Sequence, residues 1–429
     1  MVKVFLLPIE TTSRELDYKI FISCLLAEKG SKVFIGSKSK ISYFLNCFES
    51  FTYLDKGFHF GNSENFFNKL KQRKAVILSL DEEGAIDFSD GSALNKRYSK
   101  GLFDEVNKVY FWGKAQFEKY GKRSKNMKQS LITGHPRFQI LKPEYRDIFK
   151  NNSDLLKQKY GKFILVNTNT SFGNHIKGDK FVSDNYRDRF PKIDQIISQD
   201  KKKFEHICQT IESISTISDI RIILRPHPEE KADSYHDRLC HVNSLKIVKE
   251  GSVIPWISAS SSVIHSDCTT AIESVMLGKD TISAIPLGLN TNLLCPLPIG
   301  VSYKSLNTEN AAEMAVSGLP VNYSSNADKI LEDYFSHNLD SLNLLVDDML
   351  SESSNSSLIK EKALFAKKIK LFLRNIFIDK SDNLVNEKTK GLDRKNFIKR
   401  FGIISKYLKV SAALRVKVES DSLFRISKF

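Results

Sequence analysis

The sequence predicts an α/β protein of two Rossmann-like domains with a basic, helical C-terminal tail, and three observations carry that prediction. Short apolar runs alternate with amphipathic stretches through residues 1–150. A polar stretch from Tyr145 to Lys162 is then followed by a second series of the same kind, and basic residues crowd the positions beyond Lys360. At 429 residues, 41% of them hydrophobic, the chain exceeds what one core usually serves and can fill two.

Val2 to Pro8 reads as a buried strand, Ser13 to Lys29 as a helix stopped by Gly30, and Lys32 to Ile35 as the next strand, which together make one βαβ unit. Further strands are predicted at Ala75 to Ser79, Lys108 to Trp112 and Ser130 to Thr133. The second series places strands at Phe163 to Asn167, Ile220 to Leu224, Leu245 to Val248, Ser262 to His265 and Thr281 to Ile285, with a short helix over Thr269 to Leu277 closed by Gly278. The expected domains are 1–155, 156–340, and a linker with a basic, amphipathic helical tail over 341–429. The Ser/Asn/Asp-rich stretch through Ser351 to Ser357 is the flexible connection.

The net charge is +15 and the pI about 9.3. Residues 360–429 hold 19 Lys/Arg and 7 Asp/Glu, so this tail carries +12 and the body only about +3. That distribution argues against a nucleic-acid-binding body, the remote alternative that the pI raises. The mixed basic and apolar runs Lys367 to Arg374 and Phe397 to Phe401 predict an amphipathic surface for an anionic membrane; packing against the domains or a partner protein is the competing reading. Six scattered cysteines without metal-ligand spacing, no signal-peptide pattern and no run of ~18 apolar residues predict a cytoplasmic protein, and on the membrane reading the basic tail is what would hold it peripherally at the cytoplasmic face of the inner membrane.

In open parallel sheets ligands bind outside the carboxyl ends of the strands, so the informative residues stand just after strands. Arg225-Pro226-His227-Pro228 follows one: two prolines brace a His and an Arg suited to a phosphate, or simply form a rigid surface turn. His265-Ser266-Asp267-Cys268-Thr269-Thr270 leads into a helix carrying Glu273. The threonines and helix N-terminal amides can take phosphate oxygens and Glu273 a ribose hydroxyl, while a capping box needs no ligand at all. Asp81-Glu82-Glu83-Gly84 offers a general base with a pKa raised by acidic neighbours, or a solvated loop. Asn167 and Asn169, His135 and Arg137, and Glu10, Arg14 and Glu15 also end strands or begin helices; each set can line a cleft or serve as hinge, turn or helix-start residues.

Together these segments resemble known families. An acidic-acidic-Gly loop in the first domain with a His-Pro pair in the second resembles the signatures of bacterial sialyltransferases and of retaining Kdo transferases of the GT-B fold. The wider set of Arg14-Glu15, Asp81-Glu82-Glu83-Gly84, Gly134-His135-Pro136-Arg137-Phe138, Asn167-Thr168-Asn169 and Arg225-Pro226-His227-Pro228 resembles bacterial surface carbohydrate biosynthesis proteins over residues 1–330. The last segment and His265 to Glu273 are also similar to CDP-glycerol glycerophosphotransferases and, more loosely, UDP-GlcNAc 2-epimerases.

The resemblance implies a GT-B glycosyltransferase, its two domains facing a cleft, that moves a Kdo or nonulosonic-acid type of sugar from a CMP-linked donor to a capsule or O-antigen glycan, free or lipid-linked. It implies that His227 and Pro228 contact CMP and that His227 supports the departing phosphate. Arg225, Asn167, Asn169, His265, Thr269, Thr270 and Glu273 complete the donor side. Asp81, Glu82 or Glu83 acts as base or nucleophile, and Glu10, Arg14, Glu15, His135 and Arg137 meet the acceptor. No cofactor or metal is expected. Transfer of a polyol phosphate from a CDP-alcohol is the alternative on the same fold.

Overall fold

The computed structural model describes residues 2–85, 87, 91–188, 190–320, 326–354, 356–377 and 389–429. The chain forms two compact units: Met1–Gly84 with Leu94–Ile140 and Glu332–Phe429, and Ala85–Ala93 with Leu141–Leu331.

In the first unit, β1 (Val4–Ile9), β2 (Lys32–Ser37), β4 (Thr52–Asp55), β5 (Val76–Leu80), β6 (Lys108–Phe111) and β7 (Ser130–Ile132) form a parallel sheet in the order β2-β1-β4-β5-β6-β7, and the short β3 (Phe48–Glu49) stands apart from it. Strand β1 reads Val-Phe-Leu-Leu-Pro-Ile and every one of its residues is buried, as expected of a parallel strand covered on both faces. The core gathers Phe34, Phe44, Phe51, Tyr53, Ile77 and Phe111.

The second unit repeats the plan. Strands β8 (Phe163–Asn167), β9 (Arg221–Arg225), β10 (Leu245–Ile247), β11 (Ser262–His265), β12 (Asp280–Ala284) and β13 (Tyr303–Ser305) pair in parallel in the order β10-β9-β8-β11-β12-β13. Ile164, Val166, Ile222, Leu224 and Ile264 pack against Ile207, Ile211 and Ile214 of the helix Ile193–Ile217.

The C-terminal segment departs from the expected helical tail. The helices Ser341–Glu352, Glu361–Phe377 and Arg394–Tyr407 belong to the first unit, and β14 (Leu358–Ile359) pairs antiparallel with β3. The chain then ends in a hairpin of β15 (Leu414–Ser420) and β16 (Leu423–Lys428), with β16 antiparallel to β2. A Cβ at Gly36 on β2 would clash with the Ser422 carbonyl and lie 2.8 Å from the Leu423 Cα, so glycine is what lets the hairpin dock. The hairpin and the helix Arg394–Tyr407 pack on α1 (Thr12–Glu28): Phe397 stacks on Phe424 with centroids 3.8 Å apart, and Arg400 Nε lies 2.7 Å from Asp17 Oδ1. Part of the predicted tail, 378–388, lies outside the described residues. The grouping also differs from the expected boundaries at 155 and 340, because 332–429 completes the first unit's sheet and covers α1. Among the described residues no helix is long and apolar enough to cross a membrane.

Candidate functional site

Each sheet has a switch point where successive connections leave in opposite directions, next to β1 in the first unit and next to β8 in the second. The predicted residues gather at these two places.

In the first unit, Lys19 on α1 is fully buried and donates to the Pro8 carbonyl at 2.6 Å and to Glu15 Oε2 at 2.8 Å. Glu15 Oε1 accepts from Lys56 at 2.7 Å, just beyond the end of β4. Burial alone would raise the Glu15 pKa, but the two ammoniums hold it well below the usual carboxylate range. Glu10 is treated similarly: burial opposes ionisation, yet Lys56 at 3.1 Å and Lys38 at 2.8 Å bring it down to about 2. Glu15, expected on the acceptor, is therefore enclosed in an ionic network.

The acidic loop is not a set of mutually repelling carboxylates, because each has a cation. Asp81 is buried against Arg97 Nε at 2.6 Å, and Trp112 Nε1 donates to the Asp81 carbonyl at 2.7 Å. Glu82 is buried too, with Lys19 at 3.3 Å and the Tyr18 hydroxyl donating to it. Glu83 retains 33% side-chain exposure and faces Arg97 at 3.1 Å and Arg14 at 3.6 Å. His135, packed edge-on against Tyr18 and Trp112, is fully buried with its Nε2 3.7 Å from Glu82 Oε2. Arg137, also buried, lies over the Phe138 ring at 4.5 Å and donates to the Glu82 carbonyl at 3.4 Å. His135 and Arg137 thus shape the loop from behind.

In the second unit β8 lies between β9 and β11, so the loops carrying Asn167, His227 and Thr269 leave one edge of the sheet. Asn167 Nδ2 donates to Thr270 Oγ1 at 3.1 Å, which joins two of the predicted donor residues. Thr269 is the N-cap of the helix Thr270–Met276, and its side chain makes no capping bond to that helix. Glu273 is buried in that helix's first turn. His227 is half-buried, its Nδ1 accepting from the Glu229 N–H at 3.3 Å, and Pro228 is exposed.

Arg225 is committed elsewhere: it donates to the Glu250 and Gly251 carbonyls at 2.7 and 2.9 Å and lies over Trp256 at 5.1 Å. His265 is fully buried, 2.8 Å from Ser302 Oγ, whose own proton goes to the Pro298 carbonyl; the histidine therefore donates through Nε2. Burial pushes its pKa down to about 4. Arg225 and His265 brace the loops, where donor contact was expected.

Two residues that the sequence reading did not single out, Glu230 and Lys203, organise this edge. Glu230 accepts from the Thr170 N–H at 2.6 Å, the Thr168 hydroxyl at 2.6 Å and the Tyr235 hydroxyl at 2.7 Å, tying the loop after β8 to the loop after β9. Lys203 is buried between Asp200 at 2.7 Å and Asp267 at 2.9 Å, and it donates to the Asn169 carbonyl at 3.4 Å. The only available signal was that Asp200, Lys203, Ile207, Ile211 and Ile214 share one helical face.

No protein-family model matches the sequence, and no curated protein matches it. Solved structures do share the fold. The UDP-GlcNAc 2-epimerase from Methanocaldococcus jannaschii aligns with a TM-score of 0.51 at 12% identity, over 82% of this chain and 99% of that one. The epimerase from Neisseria meningitidis, bound to UDP-GlcNAc, gives 0.50 at 12% identity over 82% and 100%. The wall teichoic acid polymerase TagF, soaked with CDPG, gives 0.50 at 10% identity over 82% and 88%. The chain has the GT-B type of fold, with two Rossmann-like sheets.

Proposed function

We propose that the chain is a glycosyltransferase of surface-glycan assembly that binds a CMP-linked acidic sugar in its second unit. The observation that carries this reading is the edge beside β8, where the Asn167–Thr270 pair, Thr269 and the proline-braced His227 leave adjacent strands. The fold likeness to an epimerase structure bound to UDP-GlcNAc supports a nucleotide-linked ligand.

Thr269 and Thr270 take the phosphate oxygens and His227 donates to the phosphate as it departs. In the first unit Glu83, the accessible carboxylate of the acidic loop, takes the proton of an acceptor hydroxyl. The acceptor oxygen then bonds to the anomeric carbon, the bond from that carbon to the phosphate oxygen breaks, and CMP leaves with the electron pair. Asp81, Glu82, His135 and Arg137 position the loop. The acceptor is a glycan, free or lipid-linked, and the transfer needs no metal.

A second reading, transfer of a polyol phosphate from a CDP-alcohol, draws on the likeness to TagF soaked with CDPG. Phosphorus NMR of the reaction separates the two. Release of CMP with a phosphorus-free glycan product supports sugar transfer, whereas phosphorus retained in the product as a phosphodiester overturns it in favour of the second reading.

A further inference from the structure

The helix Glu361–Phe377 is built with two apolar faces. On one, Leu364 is fully buried in the first unit's core and Leu371, seven residues on, packs against the same cluster. On the other, Phe365 is 64% exposed, Ile369 46%, Phe372 67% and Leu373 48%. These four stand at intervals of four, three and one, which places them along one side of the helix. The core-facing side is held by more than apolar contact, since Lys367 donates to the Tyr43 carbonyl at 2.6 Å and Lys368 pairs with Glu419 at 2.9 Å. The exposed stripe is thereby fixed in orientation.

Charge identifies what would cover the stripe. From 362 to 377 the sequence has five basic residues and no acidic one, and Lys362 and Lys370 are exposed. Large apolar side chains on the outer face of a docked helix, bordered by cations with no anion among them, fit the interface of an anionic bilayer: rings and aliphatic groups enter the acyl boundary while ammoniums stay among the headgroups. We propose that Phe365, Ile369, Phe372 and Leu373 form a membrane-docking face that holds the protein flat on an anionic lipid surface. The proposal stands independently of the donor assigned above.

Deleting the tail would not test this, because it would also remove Leu364 from the core and the hairpin from the sheet. The test is vesicle flotation of the full chain and of the doubly substituted Phe365→Ser/Phe372→Ser and Lys362→Gln/Lys370→Gln proteins. Vesicles are phosphatidylcholine alone or with about one third phosphatidylglycerol. The wild type is expected to float with the anionic vesicles, the serine variant to lose at least about tenfold in partitioning, and the glutamine variant to lose most of its preference for anionic over neutral lipid. Matching thermal melts for all three proteins verify that the fold is intact, and nucleotide-induced melting shifts report separately on the donor reading. Equal flotation of the wild type and the serine variant overturns the proposal, as does absence of wild-type flotation. A lipid-free wild-type dimer that the serine substitutions convert to monomer would assign the face to a second copy of the chain instead.

Discussion

His135 Nε2 and Glu82 Oε2 lie 3.7 Å apart, both buried, and neither atom has a hydrogen-bond partner among the described residues. The Arg137 N–H donates to His135 Nδ1 at 3.1 Å, so the neutral ring carries its proton on Nε2, facing the carboxylate. Burial first, and the Arg137 charge second, push the His135 pKa well below 6.5. The folded protein therefore binds this proton less readily than the unfolded chain, which adds stability above the unfolded value and loses it as pH falls through that value. Between about pH 7.5 and about 5.5 the wild type should lose about 1 kcal/mol more than His135→Gln in urea denaturation. Equal losses would remove His135 from the account.

Glu15 neutralises two buried ammoniums, Lys19 at 2.8 Å and Lys56 at 2.7 Å. Removing one member of a buried ionic network leaves the others uncompensated, at about 3–5 kcal/mol. Chemical denaturation of Glu15→Gln should show a loss of that size; less than about 1 kcal/mol would mean that the network is not what holds α1 at the strand ends.

The acidic loop should divide by consequence. Asp81→Asn leaves Arg97 buried without its nearest carboxylate and should lower the melting temperature. Glu83→Gln should change stability by less than about 0.5 kcal/mol while lowering turnover by about 10²–10⁴-fold. A fully active Glu83→Gln enzyme would move the base elsewhere.

At Gly36 any side chain meets the backbone of the C-terminal hairpin. Gly36→Val should detach β16, read as faster amide exchange over 423–426 together with a stability loss of at least about 2 kcal/mol. Unchanged exchange there would contradict the docking argument.

The elements legible in the sequence were those whose burial shows as hydrophobic pattern. Strand β1 is an uninterrupted apolar run and β8 is one up to Asn167, while α1 stops at Glu28, two residues before Gly30 at φ +88°. The hairpin was missed although its signal is present: Leu414, Val416 and Val418 alternate with polar residues, Phe424 and Ile426 follow, and Asp421-Ser422 makes the turn. The basic composition of the tail favoured a helical reading of this stretch. Strand β4 escaped notice as four residues, Thr-Tyr-Leu-Asp, that become a strand only through pairing with β1 and β5. At the candidate site, position after a strand was readable, but which polar groups turn inward was not. Lys19, Lys203 and Glu230 each meet a partner far away in sequence, Glu82, Asp267 and Thr168, and of the three only Lys203 carries a local signal, its place on the helical face of Asp200 and Ile207.

The central claim is a cytidine-nucleotide site held by His227 in the second unit. Thermal shift with CMP, CDP, UMP and UDP on the wild type and His227→Ala tests it most directly. The account predicts that CMP stabilises the wild type most and that this shift largely disappears in His227→Ala, with the ligand-free melt unchanged. A stronger response to uridine nucleotides, or a CMP shift of the same size in His227→Ala, would contradict it.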